Sequence, residues 1–376
     1  MREFGKLVKV YLDTQDYLKL IDPPQGSELE EVKAKLLKAK ASREADFYFS
    51  WLIVLELIKP AASAFNDDRR ARGQILFEFC EKNALPSFSD LRVTPKDRPA
   101  GVWTPYSTYY ALSPRALDKF IYKKVEEYLE RNGYSRSIRR KYSSKKGLRE
   151  LMRDVGPQAF GPQMFKDYIT PNRKEFDVLL PRFFAGSATA KEVSDLVRSW
   201  MSDPREIFDI LYRDSDREDL LIAHFAPSWS KIRDAVAEYI DMAASLRRLR
   251  EERADLVASL KAQGLDRRKI RELLPEPIPD LPDMTPDPRL DKLLGQGRAH
   301  HFSHYVNCVA KGSILPKDSD IADIYHLVYL PDCDLFRCDK AMYSIFSTLD
   351  GFKGKLVERL EDLPDRIEEF RSGRET

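Results

Sequence analysis

Leu7-Val-Lys-Val-Tyr-Leu12, followed directly by Asp13-Thr14, is the stretch on which the reading of the fold turns. β-branched and aromatic residues alternate through it, so it reads as a strand, and the strand ends on a carboxylate. A helix is expected from about Thr14 and a charged helix from about Ser27 to Glu44. Asp46-Phe-Tyr-Phe-Ser50 reads as a second strand, after which Ser50 is placed to cap a helix through Ile58. One more helix is expected from Asp67 to Lys82.

The far end of the chain repeats this alternation. Asp320 to Leu330 is helical in pattern, Asp334-Leu-Phe-Arg-Cys338 is a short strand, and Lys340 to Leu349 is a helix. A last strand and helix lie between Lys355 and Phe370. Strand and helix alternating at both ends imply an α/β domain with a central parallel sheet built from the two termini.

The middle is of a different kind. Residues 86–112 are rich in proline and aromatics, and helical pattern then dominates from Ser113-Pro114 onward. Asp203-Pro204 repeats that start signal. The longest helix is expected from Pro227 to Gln263, with Gly264 as its stop and Ile232, Val236, Tyr239, Ile240 and Ala243 on its apolar face. Six prolines between Pro275 and Pro288 read as an extended connector. The expected division is therefore residues 1–90 and 296–376 as two parts of one core, with 91–295 as a mainly helical insertion.

A chain of 376 residues with 43% hydrophobic and 33% charged residues has the balance of a soluble globular protein. The net charge of +2 does not mark a nucleic-acid binder, so any such argument rests on where the charges sit. The longest apolar run, Trp51 to Leu55, falls far short of the roughly 20 residues that span a bilayer. No apolar signal region follows Met1, and Cys80, Cys308, Cys333 and Cys338 are too scattered for a disulfide framework. A cytoplasmic protein with reduced thiols and no membrane partner is expected.

Carboxylates gather at telling places. Asp13 ends the first strand, and Glu56 lies six residues after Ser50 on a helix of large apolar residues. Asp320 and Asp323 share one face at the start of a late helix, and Asp339 follows the late strand. Taken singly, Asp13 and Asp339 read equally well as helix caps, and Asp320 as a carboxylate favoured by the helix dipole. Taken together, strand ends of a parallel sheet bring such groups to one edge. Clustered carboxylates repel unless a cation neutralises them, and hard oxygen ligands suit Mg²⁺ or Mn²⁺.

In these residues the chain resembles the PIN-domain nucleases. The resemblance rests on Val10-Tyr-Leu-Asp13-Thr14, on Ser50 ahead of Glu56-Leu57, on Asp320-Ile-Ala-Asp323-Ile-Tyr-His326, and on Asp334-Leu-Phe-Arg-Cys-Asp339. It covers roughly residues 5–85 and 296–365 and leaves the middle unmatched. Cys338 departs from the Thr that often precedes the family's last acid. The resemblance implies a PIN-like three-layer domain and a metal-dependent nuclease, with RNA favoured over DNA as substrate, leaving a 5′-phosphate and a 3′-hydroxyl. It implies Asp13, Asp320 and Asp339 as metal ligands, with Glu56 and Asp323 completing that site or a second one. The third acid is Asp320 or Asp323, with Asp320 favoured. Thr14 and Ser50 would hold a ligand or a phosphate oxygen. Bacterial proteins of this kind often act as toxins or defence effectors, which makes an inhibitor or partner protein a further expectation.

The segment from Arg131 to Arg149 carries Arg136, Arg139, Arg140, Lys141, Lys145 and Lys146 with no acid among them, and Tyr134 and Tyr142 between. Such a stripe suits phosphates and stacked bases, or is a solvated loop. Arg247-Arg-Leu-Arg250 is diluted by Glu251, Glu252 and Asp255 and reads as an exposed face. His300, His301 and His304 lack zinc-like partners and read as helix surface or a phosphate contact. No glycine-rich nucleotide loop and no Gly-x-Ser-x-Gly elbow is present. Asp13-Thr-Gln-Asp16 has the wrong spacing for a phosphatase nucleophile loop.

Overall fold

The computed structural model describes residues 7–58, 69–86, 91, 114–142, 144, 146–147, 149–151, 173–201, 203–213, 218–274, 298, 300–317, 319–347 and 349–373. Strand β1 (Val8–Tyr11) pairs in parallel with β2 (Ala45–Tyr48), with Val8 opposite Ala45 and Tyr11 opposite Tyr48. Strand β3 (Leu335–Arg337) pairs in parallel with β4 (Leu356–Val357) over Phe336–Leu356 and Arg337–Val357. The four form one sheet in the order β2-β1-β3-β4, so strands from both ends of the chain make an α/β fold. Strands this short form because their side chains are covered on both faces: Val8, Val10, Tyr11, Phe47 and Leu335 are fully buried.

By its internal contacts the chain divides into two compact units, residues 1–225 and 226–376. In the first, α1 (Thr14–Leu20) and α2 (Glu28–Ala41) separate the paired strands, and Ser27 caps α2 through Glu30 N. α3 (Trp51–Ile58) buries every side chain except Glu56, and α4 (Arg69–Cys80) packs on β2 and α1. Tyr17 of α1 meets Cys80 of α4 at 3.1 Å, and burial pushes that thiol up to about 12, so it stays protonated. None of the four cysteines is in a disulfide.

Beyond α4 the described residues of the unit include the helices α5 (Pro114–Arg131), α6 (Arg136–Tyr142), α7 (Arg173–Ala185), α8 (Ala190–Met201) and α9 (Pro204–Arg213). Pro114 and Pro204 open their helices, as the sequence signals require. α9 lies along α4 at Gly73, where an added Cβ would stand 2.8 Å from Cβ of the fully buried Phe208. That close approach requires a residue without a side chain.

The second unit follows from within α10 (Glu218–Ala262), a helix of 45 residues. It begins at Glu218, not at the expected Pro227, so the proline lies inside the helix. Loss of one backbone bond, about 3 kcal/mol at most sites, is outweighed over such a length. α11 (Arg267–Leu273) is capped by Asp266, and Gly264 at φ 82 turns the chain between the two. Then come α12 (His300–Ala310), α13 (Asp320–His326) with a 3-10 turn over Leu327–Asp332, α14 (Lys340–Phe346) and α15 (Leu363–Arg371). Pro331 within that turn explains why the α-helix expected through Leu330 tightens after His326.

The boundaries expected near residues 90 and 295, and the connector from Pro275 to Pro288, lie outside the described residues. Among the described residues no helix is long and apolar enough to cross a membrane.

Candidate functional site

The carboxyl end of β1 is built from hydroxyls and carboxylates. Tyr11, its last residue, places its hydroxyl 2.7 Å from Ser50 Oγ, and both side chains are fully buried. The Ser50 hydroxyl is thus engaged with the strand below α3. Asp13 is extended at φ −72, ψ 154, and its Oδ1 accepts from Gln15 N at 3.4 Å. Asp16 answers by accepting from Asp13 N at 3.2 Å, which closes a capping box. The Thr14 hydroxyl donates to Glu56 Oε2 on α3, so the half-exposed carboxylate of an otherwise apolar helix is tied to the start of α1. Asp16, fully buried, was weighed from sequence only as a phosphatase acid and not as a capping partner. Its signal was there, an acid three residues beyond a capping Asp and directly ahead of apolar residues.

In the second unit Asp320 opens α13 and is 7% exposed. Its Oδ2 accepts from the Tyr305 hydroxyl at 2.5 Å and from Lys317 N at 3.1 Å. Burial first, and the bond to Asp320 next, hold the Tyr305 hydroxyl well above its usual pKa, so it donates at any ordinary pH. Asp323 stands one turn on, half-exposed, and its charge acts on Tyr305 in the same direction. Asp339 is exposed, follows β3 in extended conformation, and caps α14 by accepting from Met342 N at 2.7 Å.

The histidines correct an expectation. His301 is not helix surface: it is 2% exposed and lies between Phe302 and Phe346, with ring centroids at 4.3 and 6.5 Å. Its Nε2 is buried with no hydrogen-bond partner. Burial pushes its pKa down to about 3, against a hydrogen bond to the Ile324 backbone that works the other way. His304 is half-buried, with Nε2 3.0 Å from the Ile345 carbonyl, and His300 is exposed.

Within the first unit the structure joins Thr14 to Glu56 and Ser50 to Tyr11. Within the second it sets Asp320 and Asp323 about Tyr305. Among the described residues no three His, Cys, Asp or Glu side chains form a group placed to hold a metal ion. Both strand-end aspartates carry a helix cap, the plainer of their two sequence readings.

The basic segment is only partly available. α6 buries none of its residues, and Arg136, Arg140, Lys141 and Lys146 are exposed. Arg139, however, meets Glu130 at 2.5 Å, and Lys141 lies 3.6 Å from Glu150 and over the Tyr142 ring. Those acids flank the run just beyond its ends, so the folded helix restores neighbours that the linear stretch lacks. Lys145 lies outside the described residues. Comparison of the chain with protein-family models, with curated proteins and with solved structures gave no match.

Proposed function

We propose that the protein is a divalent-metal-dependent nuclease of PIN-like type, acting on RNA in preference to DNA. One observation carries the reading: the two central strands of a parallel sheet, β1 and β3, each run out onto an aspartate, Asp13 and Asp339. Ligands of such sheets bind outside the carboxyl ends of the strands.

The donor chemistry suits Mg²⁺ or Mn²⁺, because every candidate is a hard carboxylate oxygen. Helix capping does not exclude ligation. The cap of Asp339 uses Oδ1, and both bonds to Asp320 fall on Oδ2, so a carboxylate can hold its helix or hydroxyl through one oxygen and a metal through the other. Asp13, Glu56, Asp320, Asp323 and Asp339 would hold the ion, which when bound supplies an acidified water and offsets charge on the phosphate. Thr14 fixes the rotamer of Glu56, and Tyr305 that of Asp320. Arg136, Arg140 and Lys146 would neutralise backbone phosphates away from the chemistry.

A second reading has its own support. The described acids assemble no three-ligand group, and Asp13, Glu56, Asp320 and Asp339 each hold a structural hydrogen bond, which favours a catalytically silent PIN-like scaffold whose helical middle recruits a partner.

The test is cleavage of labelled single-stranded RNA, single-stranded DNA and duplex DNA with Mn²⁺, Mg²⁺ or EDTA. Asp13→Asn and Asp339→Asn are the informative variants, because asparagine caps a helix as well as aspartate does while losing the charge. Metal-dependent cutting abolished by both substitutions, with unchanged melting, supports the nuclease. No cutting of any substrate, or cutting indifferent to both variants, would overturn it in favour of the scaffold.

A further inference from the structure

α4 and α9 cross where Gly73 lets Phe208 approach, and beside that crossing lies a cleft of about 400 Å³. Clefts of roughly 300–1,000 Å³ are the size that holds small ligands. Two facing rows of polar side chains line it: Arg70 and Gln74, one turn apart on α4, and Arg205, Glu206 and Asp209 over one turn of α9. With such a lining a ligand is held by matched hydrogen bonds more than by apolar burial. Arg205 shows how it would lie. The guanidinium covers the Phe77 ring, with Cζ 3.3 Å from the centroid. Its Nε and Nη2 bond the carboxylate of Asp203 at 3.1 and 2.8 Å, and that buried residue also accepts from Arg205 N. One face and one edge are thus taken, and the plane is fixed. What remains for the cleft is the other face of a flat, permanently charged group, which suits a stacked ring.

We propose that the cleft binds a guanine base stacked on Arg205. Guanine presents the acceptors N7 and O6 side by side, and next to them the donors N1–H and N2–H₂. The lining answers in that order. Arg70 donates from Nε to Asp209 Oδ1 at 2.7 Å, so a guanidinium and a carboxylate stand side by side, as O6 and N1–H do on the ring. Gln74 supplies an amide donor for N7, and Glu206 a second carboxylate for N2–H₂. No other common nucleobase matches two carboxylates. Adenine, cytosine and uracil each carry a single donor group between or beside acceptors, so one carboxylate would face a lone pair. Phosphate, the other common ligand of arginine, is opposed by the same two carboxylates. The site takes nothing from the acids at the sheet and stands whether or not those bind metal.

Isothermal titration calorimetry of the full chain with GMP is the direct measurement, run in EDTA so that no metal at the sheet contributes. A dissociation constant below about 1 mM is expected. AMP, CMP and UMP should each bind about tenfold more weakly or worse, and IMP, which lacks the N2 amine, should fall between. Glu206→Gln and Asp209→Asn should each weaken GMP by about tenfold at an unchanged melting temperature. Arg205→Lys keeps the charge, loses the plane and should act alike. A uridine nonamer with one central guanosine distinguishes the two sources of the base. Affinity comparable to that of GMP assigns the site to a free nucleotide, and affinity about tenfold tighter or more assigns it to single-stranded RNA. Both support the guanine site. GMP that fails to bind by about 1 mM would overturn it. So would AMP or inorganic phosphate binding as tightly as GMP, or GMP binding untouched by both carboxylate substitutions.

Discussion

The two strand pairs of the sheet are held in different ways. β1 and β2 pair over four residues, and the strand pair is backed by a fully buried layer of Phe47, Phe79, Trp51 and Leu36. β3 and β4 pair over two residues only. What the second pair lacks in ladder is supplied by polar clamps. Arg298 spans the carboxylate of Asp332 at 2.8 and 3.2 Å and the Val328 carbonyl at 2.7 Å. Lys355 reaches the Cys333 carbonyl at 3.1 Å, and Tyr305 ties α12 to α13 through Asp320. Apolar burial tolerates small changes in geometry, whereas a buried polar clamp fails as a whole when one partner goes. The C-terminal pair should therefore be the more fragile to point substitution and the more sensitive to pH.

The harshest way to break this contrast is Arg298→Ala. It would leave Asp332 and the Val328 carbonyl without their shared donor, and loss of one member of a largely buried pair costs about 3–5 kcal/mol. Urea denaturation should show that loss, and the joint replacement Arg298→Met with Asp332→Leu should recover most of it. Recovery of nothing would mean that the clamp specifies structure beyond its own energy.

Acid should act on the same half. His301 is held neutral, with a pKa near 3 in the fold against about 6.5 in the unfolded chain. Below pH 6.5 the unfolded state binds a proton that the folded state refuses, so stability is full above 6.5 and falls as pH drops towards 3. The slope is about 1.4 kcal/mol per pH unit, or roughly 2–3 kcal/mol by pH 4.5. His301→Leu should flatten this part of the pH profile. An equal slope in that variant would assign the acid lability to other groups.

The hydroxyl–carboxylate pairs sharpen the comparison at smaller scale. Tyr305→Phe removes the stronger of two donors from a carboxylate that is 7% exposed and should cost about 1–3 kcal/mol. Thr14→Val removes the donor to Glu56, which water still reaches, and should cost about 1 kcal/mol or less. Thermal melts of the two variants side by side decide it, and the reverse ranking would break the contrast between the halves.

Much of this was legible in the sequence. Alternation marked β1 and β2, and Ser113-Pro114 and Asp203-Pro204 marked helix starts, because backbone preference at those points is local. Ser50 with Glu56 marked a place where polar groups enter an apolar helix, though not that their partners are Tyr11 and Thr14, which long-range packing supplies. His301 was misread because it stands among His300, Ser303 and His304 in sequence, whereas the rings of Phe346 and Phe352, more than 40 residues away, join adjacent Phe302 around it in space. The clamps of the second unit left no local trace: Arg298 and Asp332 are separated by 34 residues, and no periodicity links them.

The smallest effect bears most on function. Asp13 and Asp339 are both N-caps, but Asp13 belongs to a closed box with the buried Asp16, whereas Asp339 is exposed and caps its helix through Met342 N. Alanine at either position should cost about 1 kcal/mol, with Asp13→Ala the costlier, since Asp16 keeps its place through the box. Asparagine should cost almost nothing at Asp339. If Asp339→Asn raises the melting temperature, the native carboxylate is a liability that the cap alone does not explain. Destabilising charge kept at a strand end is what a ligand site leaves behind when the ligand is absent. If Asp339→Asn leaves stability unchanged and Asp339→Ala lowers it, capping accounts for the residue in full, and the burden of the nuclease reading passes to Asp13, Glu56 and Asp320.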